Sequence, residues 1–181
     1  MTACARSPND PAQVEYPDYW SSGESEVKQY RYDDVEGMQA LVSDEFGPWS
    51  GEVEVTQEMV NQFAELTGDD YWIHTDPEKA KTDSPFGCTV AHGFLTLVLI
   101  PKMRSEPSYE VTGFNNMLNY GSDKLRFTGV VPVGCSIRSR SRIKEVSTTS
   151  KGTKMVMEQH VHVVGQDERP AVIYELIFIY M

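Results

Sequence analysis

Asp69 and His74 stand five residues apart in a polar stretch, FAELTGDDYWIHTDPEKAKTDSPFGCTVAHG, that runs from Phe63 to Gly93. A carboxylate and an imidazole held close together can share one water, one orienting it while the other takes its proton. Histidine titrates near neutrality, so it can act as base and then as acid within one turnover. The plain alternative is a surface loop in which Asp69 caps a turn and His74 is merely solvated. Spacing alone leaves both open. Ala91-His92-Gly93 opens an apolar run and is the second candidate. Amides in the first turn of a helix lack partners and favour negative charge, and a glycine lets a ligand come close. A carbonyl turning into an enolate could be held there. The alternative is a glycine kept small so that a helix can pack on a sheet.

Three further groups carry weaker signals. Glu158, His160 and His162 alternate on one strand face and could in principle bind a metal, but no Cys or further His completes the set. The pattern reads instead as an exposed polar face. Cys88 lies near the Ala-His-Gly element, yet no base for a nucleophilic thiol is recognisable, so it reads as a small packing residue. Arg138, Arg140, Arg142 and Lys144 form a stripe that reads as a solvated strand face, with a phosphate contact as the minor alternative.

The elements that must position these residues follow from pattern. Residues 1–30 hold Pro8, Pro11, Pro17 and a Ser-Ser-Gly-Glu-Ser-Glu run without apolar periodicity, and read as a flexible arm. Tyr16, Tyr19 and Trp20 within it are residues that often dock on something. The domain is expected over residues 31–181, its first element near Asp33, a short helix through Val35, Met38, Leu41 and Val42 that Gly47-Pro48 ends. Glu52–Val55 alternates as a strand. Thr56 caps a helix whose stripe is Met59, Val60, Phe63, Ala64 and Leu66, with Gly68 as its stop. Asp76-Pro77-Glu78 starts a helical turn. Val90–Met103 is apolar on every side, which predicts a helix in the middle of the domain. Asp123–Phe127, Cys135–Val146, Lys154–Val164 and Ala171–Met181 alternate between turn signals, and the last three predict an antiparallel meander. A sheet wrapped round a central apolar helix is an α+β fold.

Composition narrows the function. A net charge of -11 would be repelled by phosphate backbones, so nucleic acid is not an expected partner. No apolar run reaches the roughly 18 residues of a membrane span, so no membrane partner is expected. Arg6, Asn9 and Asp10 stand where a secretion signal would be apolar, and three scattered cysteines make no disulfide framework. The expected setting is the reducing cytoplasm.

Thr67-Gly68-Asp69-Asp70-Tyr71-Trp72-Ile73-His74-Thr75-Asp76, followed by Phe86-Gly87-Cys88-Thr89-Val90-Ala91-His92-Gly93-Phe94-Leu95-Thr96-Leu97, resembles the MaoC-like dehydratases, R-specific enoyl-CoA hydratases of the hotdog fold. Asn119–Phe127 and Val131–Gly134 extend the likeness toward the single-hotdog, NodN-like branch, over roughly residues 33–181. The resemblance implies that Asp69 and His74 are catalytic and that the Gly93 amide binds the thioester oxygen. Tyr71 and Trp72 replace the commonest Asn-Pro of the motif, and with His92 and Asn119 they are candidate substrate contacts. A hydroxyl that some members place late in the central helix has no counterpart, since Pro101 falls about there. The implied reaction is reversible syn addition of water to a trans-2-enoyl thioester, giving the (R)-3-hydroxyacyl thioester. CoA or an acyl carrier protein's phosphopantetheine is the substrate's handle, no metal or redox cofactor is expected, and the chain is expected to form a homodimer. A hotdog acyl-CoA thioesterase and a non-catalytic acyl-CoA-binding module are the other two readings.

Overall fold

Alternating, β-branched sequence over the second half of the chain builds four of the five strands of one antiparallel sheet. The computed structural model describes residues 27–181; the arm expected over residues 1–30 lies, up to residue 26, outside the described residues. In chain order the elements are β1 (Lys28–Arg31), α1 (Val35–Gln39), β2 (Val53–Glu54), α2 (Gln57–Thr67), α3 (Trp72–Thr75), α4 (Pro77–Asp83) and α5 (Gly93–Val98). A 3-10 turn (Ile100–Lys102) then leads to β3 (Tyr109–Thr112), β4 (Met117–Phe127), β5 (Ser136–Thr149), β6 (Gly152–Val163) and β7 (Val172–Tyr180). The sheet order is β2-β5-β6-β7-β4, while β1 and β3 form a separate parallel pair. The meander expected from the last three alternating segments is β5-β6-β7. β4 adds to its far edge through a register interrupted at Asn119/Gly121 and Ser122/Lys124.

Val55, Val60, Leu95, Ile137, Val161 and Val172 make the main core, between α2, α5 and the sheet. Each such side chain contributes roughly 1.5–3 kcal/mol by leaving water. A second cluster gathers Met38 of α1 on Ile143, Val146, Met155 and Tyr180. Strand β1 lies ahead of Asp33, where the sequence places the first element, because its pairing partner β3 is about 80 residues away and invisible to a local reading. The first helix also ends sooner than Gly47, with its last turn at Ala40.

The helix caps match their sequence signals. The Thr56 hydroxyl accepts from Met59 N at 3.3 Å, and Gly68, at φ +78°, closes α2 in the left-handed conformation. The Asp76 carboxylate accepts from Lys79 N with Pro77 in the first turn of α4. Leu66 departs from the expected stripe and is 83% exposed. At 100° per residue it stands roughly 140° round the helix from the buried Val60–Ala64 pair.

The central helix is shorter and more open than the apolar run suggests. α5 has six residues; ahead of it Val90 bridges Pro132 and Ala91 N donates to Val131 O, which keeps that segment extended. Pro101, which cannot continue an α-helix, sits in the 3-10 turn behind it. Leu95 and Thr96 are buried, whereas Phe94 and Val98 stand out from the chain. The arginine stripe also differs from a solvated face. Residues 43–50 run back along β5, with Ser43 N, Gly47 N and Ser50 N bonded to the carbonyls of Ile143, Ser141 and Ser139. That segment lays Phe46 and Trp49 over Arg138, Arg140 and Arg142. Glu158 and His162, read as exposed, are buried beneath this cover. A long-range return of this kind leaves no mark on local alternation.

Candidate active site

Gly68 turns the chain out of α2, and Asp69 is the residue that follows, exposed at the head of a loop. The short turn α3 then swings His74 inward, where its Nδ1 lies 2.7 Å from the Val90 carbonyl oxygen. A carbonyl only accepts, so Nδ1 carries the proton and Nε2 is left with its lone pair. Gln57 braces the turn from behind: its Nε2 donates to the His74 carbonyl at 2.7 Å and its Oε1 accepts from Thr89 at 2.6 Å. His92, 3% exposed, lies flat against His74 with ring centroids 3.9 Å apart and planes 28° off parallel. Its Nε2 donates to the main-chain oxygen of Asp69 at 2.8 Å, which leaves Nδ1 without a hydrogen-bond partner among the described residues.

Asp69, His74 and His92 each bring a side-chain atom within 4.8 Å of the others. That spacing suits one water bridging two polar groups. It suits a metal poorly, because stacked imidazoles aim their lone pairs along near-parallel planes and cannot converge on one ion at about 2.0–2.1 Å. His74 lines a cavity of about 430 Å³ with Ile73, Phe86, Gly93, Phe127 and Val131. A larger cavity, about 740 Å³, lies toward the other end of the sheet against Tyr109, Met157 and Tyr180 and touches neither Asp69 nor His74.

Gly93 opens α5 at the wall of the smaller cavity, with the Phe127 ring directly over it. A Cβ there would sit 2.8 Å from Phe127 Cδ1, so any larger residue would have to push that ring aside. Its amide, in the first turn, has no acceptor within the helix. Of the other sequence candidates, Tyr71 is 59% exposed and faces Trp72, whose ring carries the Lys79 ammonium 4.8 Å above it. Neither lines the cavity. Asn119 pairs with Phe178 near the far end of β4, roughly 25 Å of strand from Phe127, so one chain does not bring it to the histidines. His160 and His162 stand apart on β6, where His160 Nε2 bonds the Glu158 carboxylate at 2.9 Å. Cys88 and Cys135 are free thiols, half-buried. The Val90 carbonyl, Gln57 and Phe127 are parts of the site that sequence reasoning missed. Val90 and Phe127 fall inside the stretches that carry the family resemblance and Gln57 lies just inside a capped helix, but nothing in the sequence singles any of them out.

Residues 48–166 match the MaoC-like domain family, and the chain belongs to it. Its curled sheet round a short helix is the hotdog fold. Among curated relatives, the chain is 39% identical over 150 residues to 3-hydroxyacyl-thioester dehydratase Z of Mycobacterium tuberculosis, covering 83% of this chain and 97% of that protein. It is 34% identical over 119 residues to nodulation protein N of Rhizobium leguminosarum bv. viciae, covering 66% and 74%. Among solved structures, an unliganded R-hydratase from Pseudomonas aeruginosa superposes with a TM-score of 0.58 at 23% identity, over 75% of this chain and 81% of that one.

Proposed function

We propose that the protein is a hydro-lyase that adds water reversibly to a trans-2-enoyl thioester and yields the (R)-3-hydroxyacyl thioester. The observation that carries this reading is His74: Nδ1–H is committed to a backbone carbonyl, and the ring borders the cavity beside the Asp69 carboxylate. Asp69 and His74 hold one water between them. As the water oxygen bonds to the β-carbon, His74 Nε2 takes its proton and the C=C electrons move toward the thioester oxygen. The Gly93 amide donates to that oxygen as it becomes an enolate. His74 then returns the proton to the α-carbon on the same face, which restores the carbonyl and the free base. Membership of the MaoC-like family and the dehydratase name of the curated relative support the same chemistry. The thioester handle is CoA or a carrier protein's phosphopantetheine, and the reaction as written draws on no resident cofactor.

Incubation with crotonyl-CoA tests it. Loss of enoyl absorbance without free thiol is the expected result. Release of thiol means a thioesterase, and binding without turnover across chain lengths means an acyl-CoA-binding module.

The working unit in this reading is a cytoplasmic homodimer joined along β4. That edge strand is eleven residues long and shows Met117, Leu118, Tyr120 and Phe127 to solvent, an unprotected template for pairing. Phe94 and Val98 on α5 add apolar surface for the same partner to cover. Sedimentation should give a dimer at micromolar concentration, and Leu118→Lys should shift it toward monomer. A chain starting at Val27 should keep hydratase turnover, because no residue assigned a role precedes it.

A further inference from the structure

We propose that His92 is a positioning residue for the Asp69–His74 pair: its Nε2–H fixes the Asp69 main chain while its ring face fixes the plane of His74. The inference rests on the reading of that pair as catalytic. Asp69 needs such an anchor. The residue is exposed, and its amide reaches only a long 3.4 Å bond to the Thr67 hydroxyl. His92 comes from a rigid place. It caps α5, whose Leu95 and Thr96 are buried, and its carbonyl accepts from Thr96 N at 3.1 Å. The hydrogen bond from His92 to Asp69 O therefore ties the loop to the domain core across 23 residues of sequence.

The choice of side chain argues for the donor over the packing. His92 lies between Phe63, at 5.0 Å, and His74, at 3.9 Å, a slot that an aromatic hydrocarbon would fill. Histidine leaves a buried Nδ1 there with no partner among the described residues. An unmet acceptor of this kind is a burden on the fold that a phenyl ring would avoid. What the phenyl ring lacks is the Nε2 proton that Asp69 O accepts. Without it, drift of the carboxylate by about 1 Å can lower turnover on the order of a hundredfold.

His92→Gln and His92→Phe separate the two roles. Glutamine carries an N–H donor at a reach close to that of histidine Nε2, and phenylalanine carries only the ring. Turnover of crotonyl-CoA should stay within about threefold of wild type in His92→Gln and fall roughly ten- to a hundredfold in His92→Phe, in kcat with little change in KM. His92→Phe should melt no lower than wild type. The opposite order, with the Phe variant as active as wild type or more active than the Gln variant, overturns the proposal. Nitrogen NMR of the wild-type imidazoles gives a check that needs no variant to fold: His92 must carry its proton on Nε2, and a proton on Nδ1 instead sinks the assignment. Failure of the underlying pair reads out elsewhere, as near-normal rates in Asp69→Asn and His74→Ala.

Discussion

His74 and His92 at the cavity end, and His160 and His162 on the outer face of β6, place the chain's four histidines in two different electrostatic settings. The first two donate to main-chain carbonyls, of Val90 and of Asp69. A carbonyl fixes which nitrogen bears the proton without adding a charge, and at His74 it leaves the other nitrogen available to a reactant. His160 instead bonds the Glu158 carboxylate, which also takes two hydrogen bonds from Arg142 at 2.9 and 2.7 Å. His162 is fully buried and edge-on to Trp49. Burial pushes His160 below its ordinary value while Glu158 opposes the shift; at His162 burial and then Arg140 both push down. In the proposed reaction the same residue type thus serves chemistry at one end, while at the other it is packed into architecture. Access and the kind of acceptor decide which.

The largest test of that contrast is catalytic. Asp69→Asn and His74→Ala should each lower hydration of crotonyl-CoA by roughly a hundredfold or more, because acid–base groups contribute 10²–10⁴. The double variant should lose little further, since either change already disables the shared water. His160→Gln should stay within about twofold in turnover, as an architectural residue away from the cavity. Equal losses at both ends would erase the distinction.

A smaller effect is expected where packing and chemistry meet. Gly93→Ala drives a methyl group into the Phe127 ring and should cost about 1–3 kcal/mol of stability, seen as a lower melting temperature. Gly93→Ala combined with Phe127→Leu should recover most of that loss by opening the space. Turnover should recover in parallel, because the amide assigned to the thioester oxygen is still present. If melting recovers and turnover does not, Phe127 itself contributes to the site.

How much of this was legible in the sequence depends on the range of the interaction. Thr56, Gly68 and Asp76-Pro77 act within a turn of themselves, and their caps stand as read. The β5-β6-β7 meander follows from alternation and tight turns. Spacing left the roles of Asp69 and His74 open and the family resemblance singled the two out, but neither showed the Val90 carbonyl that sets the tautomer or the stack beneath it. Those depend on residues 16 and 18 positions away, across two helical turns and a loop. The outer face was misread for the same reason. Alternation along β5 cannot see residues 43–50 returning to bury it.

The smallest expected effect is the acid limb of stability, and it belongs to that outer face. His160 and His162 have values lowered from 6.5. At Glu158 burial pushes the value up, but hydrogen bonds from Arg142 and His160 bring the net below 4.5. All three groups therefore bind protons less readily folded than unfolded. Stability rises with pH wherever the unfolded chain holds more protons, so their contributions are complete above the unfolded values and drain away as pH falls through the folded ones. The histidine share is lost first, once pH drops below 6.5, and the Glu158 share only below 4.5. Melting temperature should be nearly flat between about pH 8 and 7 and decline progressively below that. His162→Phe removes one titrating group while keeping an aromatic ring against Trp49. Its melting temperature should fall less than that of wild type between about pH 7.5 and 5.5. An unchanged slope would mean that His162 takes up its proton without cost to the fold, and would break the contrast between the two histidine pairs from the architectural side.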